Sequence, residues 1–289
     1  MDPTIEAVRE QIAGEQGEPF LRLMRDLYVG AELAWWDAAR TLRRDVLELG
    51  LARAGAGGPS LTACGYVVGN VAKEYCNWLE HGRSMPAPRP SPEMVAGKDV
   101  LDLGCGFGRW LWEFQTSARS VVGIELQREY LELGEALARR EGRPVPKIHC
   151  VSAEQIDAVV PAASVDLVFS RLMLTHVAIR RTLAAIAGRL RPGGILWVQV
   201  ESLRYRCRSL LAARRLRSAA FDAFAIANSA VLMASGIQLA VHSCGRMHST
   251  HRAAHPTLAW RRCAAARAGL TEFHVVKRAA ETVSFWARR

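Results

Sequence analysis

The chain has 289 residues, half of them hydrophobic, and a formal charge of +10. That length allows one large domain or a catalytic domain with a smaller attachment, with enough apolar residues for a sizeable core. The seven cysteines are scattered, odd in number and contain no C-x-x-C pair, which argues against a disulfide framework; reduced thiols are expected. Met1 to Glu18 is polar and acidic and lacks a secretory-signal pattern, so the cytoplasm is the expected location. The positive charge is nearly all arginine, because the lysines are Lys73, Lys98, Lys147 and Lys277 only. Much of it falls between Glu201 and Arg262, where ten arginines are opposed by Glu201 and Asp222 alone. A solvated helix face fits this cluster, and so does attraction to an acidic substrate, RNA or an anionic membrane surface.

Residues 1–82 read as helical. Apolar residues recur at helical spacing from Phe20 to Leu49, and again through Val67, Val71, Tyr75, Trp78 and Leu79, with a turn-rich break at Gly55–Ser60. Four prolines between Ser84 and Pro92 mark a linker. From about Val95 to Val200, short apolar runs alternate with helical patterns. Strands are predicted at 99–103, 120–124, 147–151, 165–170 and 195–200, and helices at 109–116, 128–140 and 179–190; Arg191 to Gly194 reads as a turn. Such βα repeats predict a parallel sheet covered by helices on both faces. Ala223 to Val241 carries no charge, but Asn228, Ser229, Ser235, Gly236 and Gln238 interrupt it. It reads as a buried helix, or one lining an apolar substrate pocket, rather than a membrane span. Thr257 caps a helix that runs to Arg267 and stops at Gly269, and 271–276 and 282–286 read as two closing strands.

The strongest local signal is Val100-Leu101-Asp102-Leu103-Gly104-Cys105-Gly106-Phe107-Gly108. A buried strand runs into three glycines at alternate positions, where the chain turns sharply and its backbone approaches a ligand without a Cβ in the way. A helix N-terminus follows. The dinucleotide fingerprint G-x-G-x-x-G is not met, since Arg109 stands where its third glycine belongs. Glu125 ends the second strand about 20 residues on, where a carboxylate accepts from ribose hydroxyls.

These stretches, with Ser152-Ala153-Glu154, Val165 to Val177 and Leu190 to Gly194, resemble the class I S-adenosylmethionine-dependent methyltransferases. The resemblance covers about Lys98 to Val200 plus the closing strands. It implies an α/β fold with a doubly wound, mainly parallel seven-stranded, Rossmann-like sheet, a helical N-terminal extension and a helical insertion after the fifth strand. The expected segments are a helical lid over 1–92, the cofactor-binding core over 93–201, an arginine-rich and apolar cap over 202–256, and closing elements over 257–289. By resemblance, Asp102 helps hold the methionine amino group of S-adenosylmethionine, Gly104, Cys105, Gly106 and Gly108 form the floor, and Glu125 with Leu126 receives the ribose side. Ser152, Ala153 and Glu154 flank the adenine, with Ser152 where the family often has Asp. Ser170, Arg171 and Met173 lie beside the methionine and the sulfonium. Carboxylates suit this cationic cofactor, whereas a pyrophosphate favours basic residues.

Methyl transfer depends on positioning more than on covalent help from the protein, so catalytic residues leave little trace in sequence. His176, just after the fourth strand, is the candidate base or substrate ligand; a structural histidine is the competing reading. Cys244, His248, His251 and His255 have a ligand-like spacing, but Gly245 and the missing second cysteine pair argue for a polar loop, and no metal is expected. Tyr28, Trp35, Trp36 and His248 are the candidate substrate contacts. The expected activity is methyl transfer to a small or medium-sized, partly hydrophobic metabolite, of natural-product type, with a homo-oligomer left open and no nucleic acid or integral membrane as partner. Two alternatives stay open: a non-methylating enzyme such as an azetidine-2-carboxylate synthase, which releases methylthioadenosine, and an RNA methyltransferase suggested by the arginines.

Overall fold

The computed structural model describes residues 3–14, 51–53, 60–81, 88–213, 216–242, 250–278 and 281–289. The principal helices are α1 (Pro3–Gly14), α2 (Ala63–Glu80), α3 (Arg109–Phe114), α4 (Arg128–Arg140), α5 (Ile179–Arg189), α6 (Leu203–Ala212), α7 (Leu216–Ser235) and α8 (Leu258–Arg267). The principal strands are β1 (Asp99–Leu103), β2 (Ser120–Glu125), β3 (Ile148–Cys150), β4 (Val165–Arg171), β5 (Leu190–Glu201), β6 (Glu272–Arg278) and β7 (Thr282–Arg288). The chain divides into two compact units, one of Met1–Ala87, Gly106–Glu113 and Gln127–Pro146, the other of Pro88–Cys105, Phe114–Leu126 and Lys147–Arg289.

The first unit is helical among its described residues. α1 buries Ile5, Val8 and Ile12, which recur on one face, and its last turn is held by the Arg140 guanidinium donating to the Ile12 carbonyl (2.9 Å). Thr62 starts α2: its hydroxyl accepts from the Gly65 amide (3.1 Å) and donates to the Leu51 carbonyl (3.1 Å). Trp78 and Trp112 meet edge-on with ring centroids 5.5 Å apart, and Phe107 meets Trp112 in the same way at 5.6 Å. The Arg109 guanidinium is buried and pairs with Glu113 (3.1 Å) and Glu74 (3.7 Å).

The second unit carries the sheet, in the order β6-β7-β5-β4-β1-β2-β3. β1 pairs in parallel with β2 and β4, β4 in parallel with β5, and β7 runs antiparallel to both β5 and β6. This is the doubly wound, mainly parallel seven-stranded arrangement expected from sequence. The order reverses between β1 and β4, so their C-terminal ends flank the switch point where such sheets bind ligands. Consecutive buried residues in β5 (Leu196, Trp197, Val198) show that both sheet faces are covered. Arg191 to Gly194, read from sequence as a turn before the strand, is a bulge within β5. Val165 pairs with Leu190 and Leu167 with Ile195, so the four residues between loop out, with Gly193 at φ +79°.

α7 departs from expectation. It is not a buried helix: 28% of Ser218–Ser235 is buried, although by length and composition alone that stretch could cross a membrane. Its interior face includes the polar Asp222, Asn228 and Ser229. The reason is a polar staple. The Asn228 amide donates to the carbonyls of Leu239 (3.1 Å), Arg252 (3.3 Å) and Ala253 (3.0 Å), and its oxygen accepts from the Leu239 amide (2.7 Å). Ser229 accepts from the His255 amide (2.7 Å). The returning chain needs hydrogen-bond partners inside, so polar residues of α7 turn inward.

One glycine tests the helical unit. A Cβ on Gly134 would run into the backbone carbonyl of Phe107. Alanine in mid-helix ordinarily gains about 1 kcal/mol over glycine. Gly134→Ala is nonetheless expected to destabilise by about 1 to 3 kcal/mol, because backbone cannot yield as a side chain does. Urea unfolding checks it; a neutral or stabilised variant would show that α4 does not press on residue 107.

Candidate cofactor and active site

The site begins with β1, buried from Val100 to Leu103 and bringing Asp102, 1% exposed, to its C-terminal end. The amides of Gly104 and Cys105 then both donate to the Ile124 carbonyl of β2 (2.8 and 3.0 Å), turning the chain. Gly104, Gly106 and Gly108 have φ of +78°, +56° and +88°, a left-handed run that residues with a Cβ rarely adopt. A Cβ at Gly104 would stand 2.5 Å from Met173 Cγ, so Met173 closes over that glycine. A Cβ at Gly106 would meet only Tyr130 within 4 Å, at 3.8 Å. Tyr130 is itself fixed by Asn70, whose amide donates to the phenol oxygen (3.2 Å).

Glu125 ends β2, its carboxylate accepting from the Leu126 amide (2.8 Å), and Leu126 is left 59% exposed. Burial, and then the charges of Asp102 and Glu125, push the Cys105 thiol well above its usual range. Cys105 is therefore a neutral packing residue. Ser152 caps the short helix Ala153–Ala158 by accepting from the Glu154 amide (3.2 Å). The Glu154 carboxylate accepts from the Ala178 amide (2.9 Å) and faces Arg252 (3.6 Å).

At the end of β4, the buried Ser170 hydroxyl donates to the Leu103 carbonyl (3.1 Å), fastening β4 to β1. Arg171 donates to the Gln199 side chain (3.0 Å). Leu172, between Arg171 and Met173, sits at φ +60°, a strained backbone for leucine at the edge where ligands bind. His176 is exposed, and its amide donates to the Met173 carbonyl (2.8 Å). Tyr28, Trp35, Trp36 and His248 lie outside the described residues.

The insertion after β5 is stitched to the same edge. Gln238 donates to the Val177 and Arg252 carbonyls (2.8 and 2.6 Å) and accepts from the Ile179 amide (3.0 Å), and the Ala254 amide donates to Thr175 (2.9 Å). His255 is fully buried with Nδ1 3.4 Å from the Glu201 carbonyl. Glu201 and Asp222 both bind Arg206, the latter at 3.0 Å. Sequence spacing had presented His255 only as one of a histidine series. Leu172 gave no sequence signal, since its strain comes from tertiary structure.

An acid-flanked, left-handed glycine loop at the switch point of a seven-stranded sheet defines a class I S-adenosylmethionine-dependent methyltransferase domain. Residues 101–198 match the family described as a methyltransferase domain. Over 120 residues the chain is 32% identical to a ubiquinone biosynthesis O-methyltransferase of Chromobacterium violaceum, covering 41% of this chain and 50% of that protein. Over 155 residues it is 28% identical to a sphingolipid C9-methyltransferase of Candida albicans, covering 51% and 30% respectively. The chain thus spans half or less of these curated relatives. A chain from the solved complex between the Haloferax volcanii Trm112 methyltransferase activator and a methyltransferase partner shares the fold, at a TM-score of 0.50 and 17% identity, covering 77% of this chain and 93% of that one.

S-adenosylmethionine is the cofactor of this domain, and the residues present suit it. Asp102 and Glu125 offer carboxylates to an amine and to ribose hydroxyls. The cation nearest in sequence, Arg109, is engaged by Glu74 and Glu113. No basic group of the loop is therefore set out for a pyrophosphate.

His255 supplies a pH test. Burial foremost, then Arg206 and Arg261, push its imidazole down to about 3; His176 acts in the same direction and the Glu201 carbonyl opposes. The fold therefore holds it neutral while the unfolded chain protonates near pH 6.5. Stability is lost as pH falls below that value, by about 2 kcal/mol at pH 5 from this group. Urea unfolding at pH 7 and pH 5 should show the loss in the native protein and its removal in His255→Gln. An equal loss in both proteins would assign it to other groups.

Proposed function

We propose that the chain transfers the methyl group of S-adenosylmethionine to a small or medium-sized, partly hydrophobic metabolite. The observation that carries this reading is the acid-flanked glycine loop of Asp102 to Gly108 within a methyltransferase domain. Relatives named for ubiquinone biosynthesis and sphingolipid methylation support an apolar acceptor. The cofactor supplies an activated methyl group on a sulfonium, so the chain's own contribution is to bind, orient and exclude water. In this reading Asp102 binds the amine, Glu125 the ribose hydroxyls, and the backbone of Gly104 to Gly108 lies against the cofactor. Met173, folded over Gly104, fixes the methionine side. His176, exposed just beyond β4, takes in this reading the role of accepting a proton from an acceptor hydroxyl.

The first experiment is incubation of the purified chain with S-adenosylmethionine, followed by mass spectrometry. S-adenosylhomocysteine that forms only when an acceptor pool is added supports methyl transfer. Methylthioadenosine with a cyclised amino acid from the cofactor alone would replace this reading with that of a cofactor-cyclising enzyme. Glu125→Ala is expected to weaken cofactor binding by about 2 to 5 kcal/mol, through loss of charged hydrogen bonds to the ribose that the bound cofactor itself covers. Gly106→Val, which sets a β-branched side chain at φ +56°, should abolish binding. Isothermal titration calorimetry checks both; unchanged affinities would put the cofactor elsewhere.

A further inference from the structure

α7 buries Ala225 and Leu232 together with polar residues and leaves a second apolar face outside. Its interior includes Asp222, Asn228 and Ser229, while its solvent side presents Leu216, Ala220, Ala223, Ala227, Val231 and Ala234. These six recur at steps of three and four, so they form one stripe along a helix of about 30 Å. No charged residue interrupts the stripe. The apolar surface continues past the helix, where Ile237, Leu239 and Val241 are 61%, 44% and 48% exposed. At the other end stand Leu211 and Leu216, each 88% exposed. A helix in water alone ordinarily turns its polar residues outward, and a contiguous exposed apolar strip of this length marks a contact surface.

The charge around the stripe selects the partner. Arg204 and Arg208 are exposed on α6, and the sequence joining α6 to α7 reads Ala213-Arg214-Arg215, followed by Arg217. Glu201 and Asp222, the acidic residues between 201 and 262, are both taken up by Arg206. This segment therefore has no acidic group with which a second copy could receive the arginines. An anionic bilayer supplies both halves of what the surface lacks: phosphates for the guanidinium groups and an apolar layer for the stripe.

We infer that α6 and α7 dock on an anionic lipid surface, lying in the interface plane with Leu211 and Leu216 inserted. The polar staple of Asn228 and Ser229 holds the inner face, so the outer face is presented without unfolding. Docking needs no methyl acceptor and stands apart from the chemistry proposed above.

Vesicle flotation of the full chain tests this, with phosphatidylcholine alone and with phosphatidylcholine plus phosphatidylglycerol. The chain is expected to float with the anionic vesicles at low salt and to lose roughly fivefold in affinity for each arginine contact that salt screens. Leu211→Glu with Leu216→Glu should cost roughly tenfold or more. Both sites are solvent-facing, so circular dichroism and cofactor binding should be unchanged, separating this result from misfolding. Failure of the native chain to float at low salt would overturn the inference, as would unchanged flotation of the double variant. A doubled mass by light scattering that the double variant abolishes would reassign the stripe to self-association. Salt-sensitive tRNA binding without flotation would reassign the arginines to nucleic acid.

Discussion

Two amides, those of Gly104 and Cys105, converge on one carbonyl oxygen, that of Ile124 in the neighbouring strand. This shared acceptor stops β1 from continuing as a strand and forces the following residues into a tight turn. The turn has room only for backbones at positive φ, which alternate glycines provide. Because Ile124 immediately precedes Glu125, the same contact fixes the distance along the sheet edge between the Asp102 and Glu125 carboxylates. Ser170, donating to the Leu103 carbonyl, locks β4 in step with them. The shape of the glycine loop thus depends less on any side chain than on where one strand is made to end.

The two edges of the sheet divide the polar residues by purpose. At the N-terminal edge, Asp99 and Asp166 are bracketed by Arg119 and Arg191. Arg191 reaches them at 2.9 and 2.8 Å, and Arg119 contacts both. Arg119 above all lowers the Asp99 carboxyl; at Asp166 the Asp99 amide and Arg191 outweigh the desolvation that opposes them. Each acid there has its countercharge, and the edge is closed. At the C-terminal edge Ser170 binds the Leu103 carbonyl and Arg171 the Gln199 side chain, and the insertion is fastened there through Gln238, Ala254 and His255. Thr175, Val177 and Ile179, which follow β4, are thereby held by chain that lies some 60 to 80 residues later. Strain at Leu172 is tolerated where both its neighbours and its own amide are held, the amide by the Gln199 carbonyl (2.8 Å).

What the sequence disclosed depended on how local the cause was. The glycine loop was legible because its glycines lie within five residues, although the Ile124 carbonyl that turns the chain does not. The helix over 128–140 was legible to the residue, since its periodicity and flanking residues agree. The closing strands and the Thr257 cap were equally local in origin. The Arg191–Gly194 bulge was read as a turn because Pro-Gly-Gly signals a bend equally in both, and only pairing with β4 distinguishes them. α7 was legible as an apolar helix, but which face turned inward was not, because three carbonyls distant in sequence recruit Asn228. His255 was visible only as one of four spaced ligand types; its burial against Glu201 and Arg206 is a product of the insertion's return path. The aromatic substrate candidates Tyr28, Trp35 and Trp36 lie outside the described residues.

The excess of arginine and the acidity of the cofactor edge are compatible because they occupy different places. Three arginines that are largely or wholly buried are each accounted for locally: Arg109 by glutamates, Arg206 by Glu201 and Asp222, and Arg261 by the Pro256 carbonyl (3.1 Å). Exposed charges lose their influence over about 8 Å at physiological ionic strength. The exposed arginines of α6 add to the field around that helix, while Asp102 and Glu125 flank the loop. Net charge is thus a property of the segment after β5, and a cationic ligand at the glycine loop meets an environment of the opposite sign. A substitution that moved a basic residue to the loop would oppose that ligand directly.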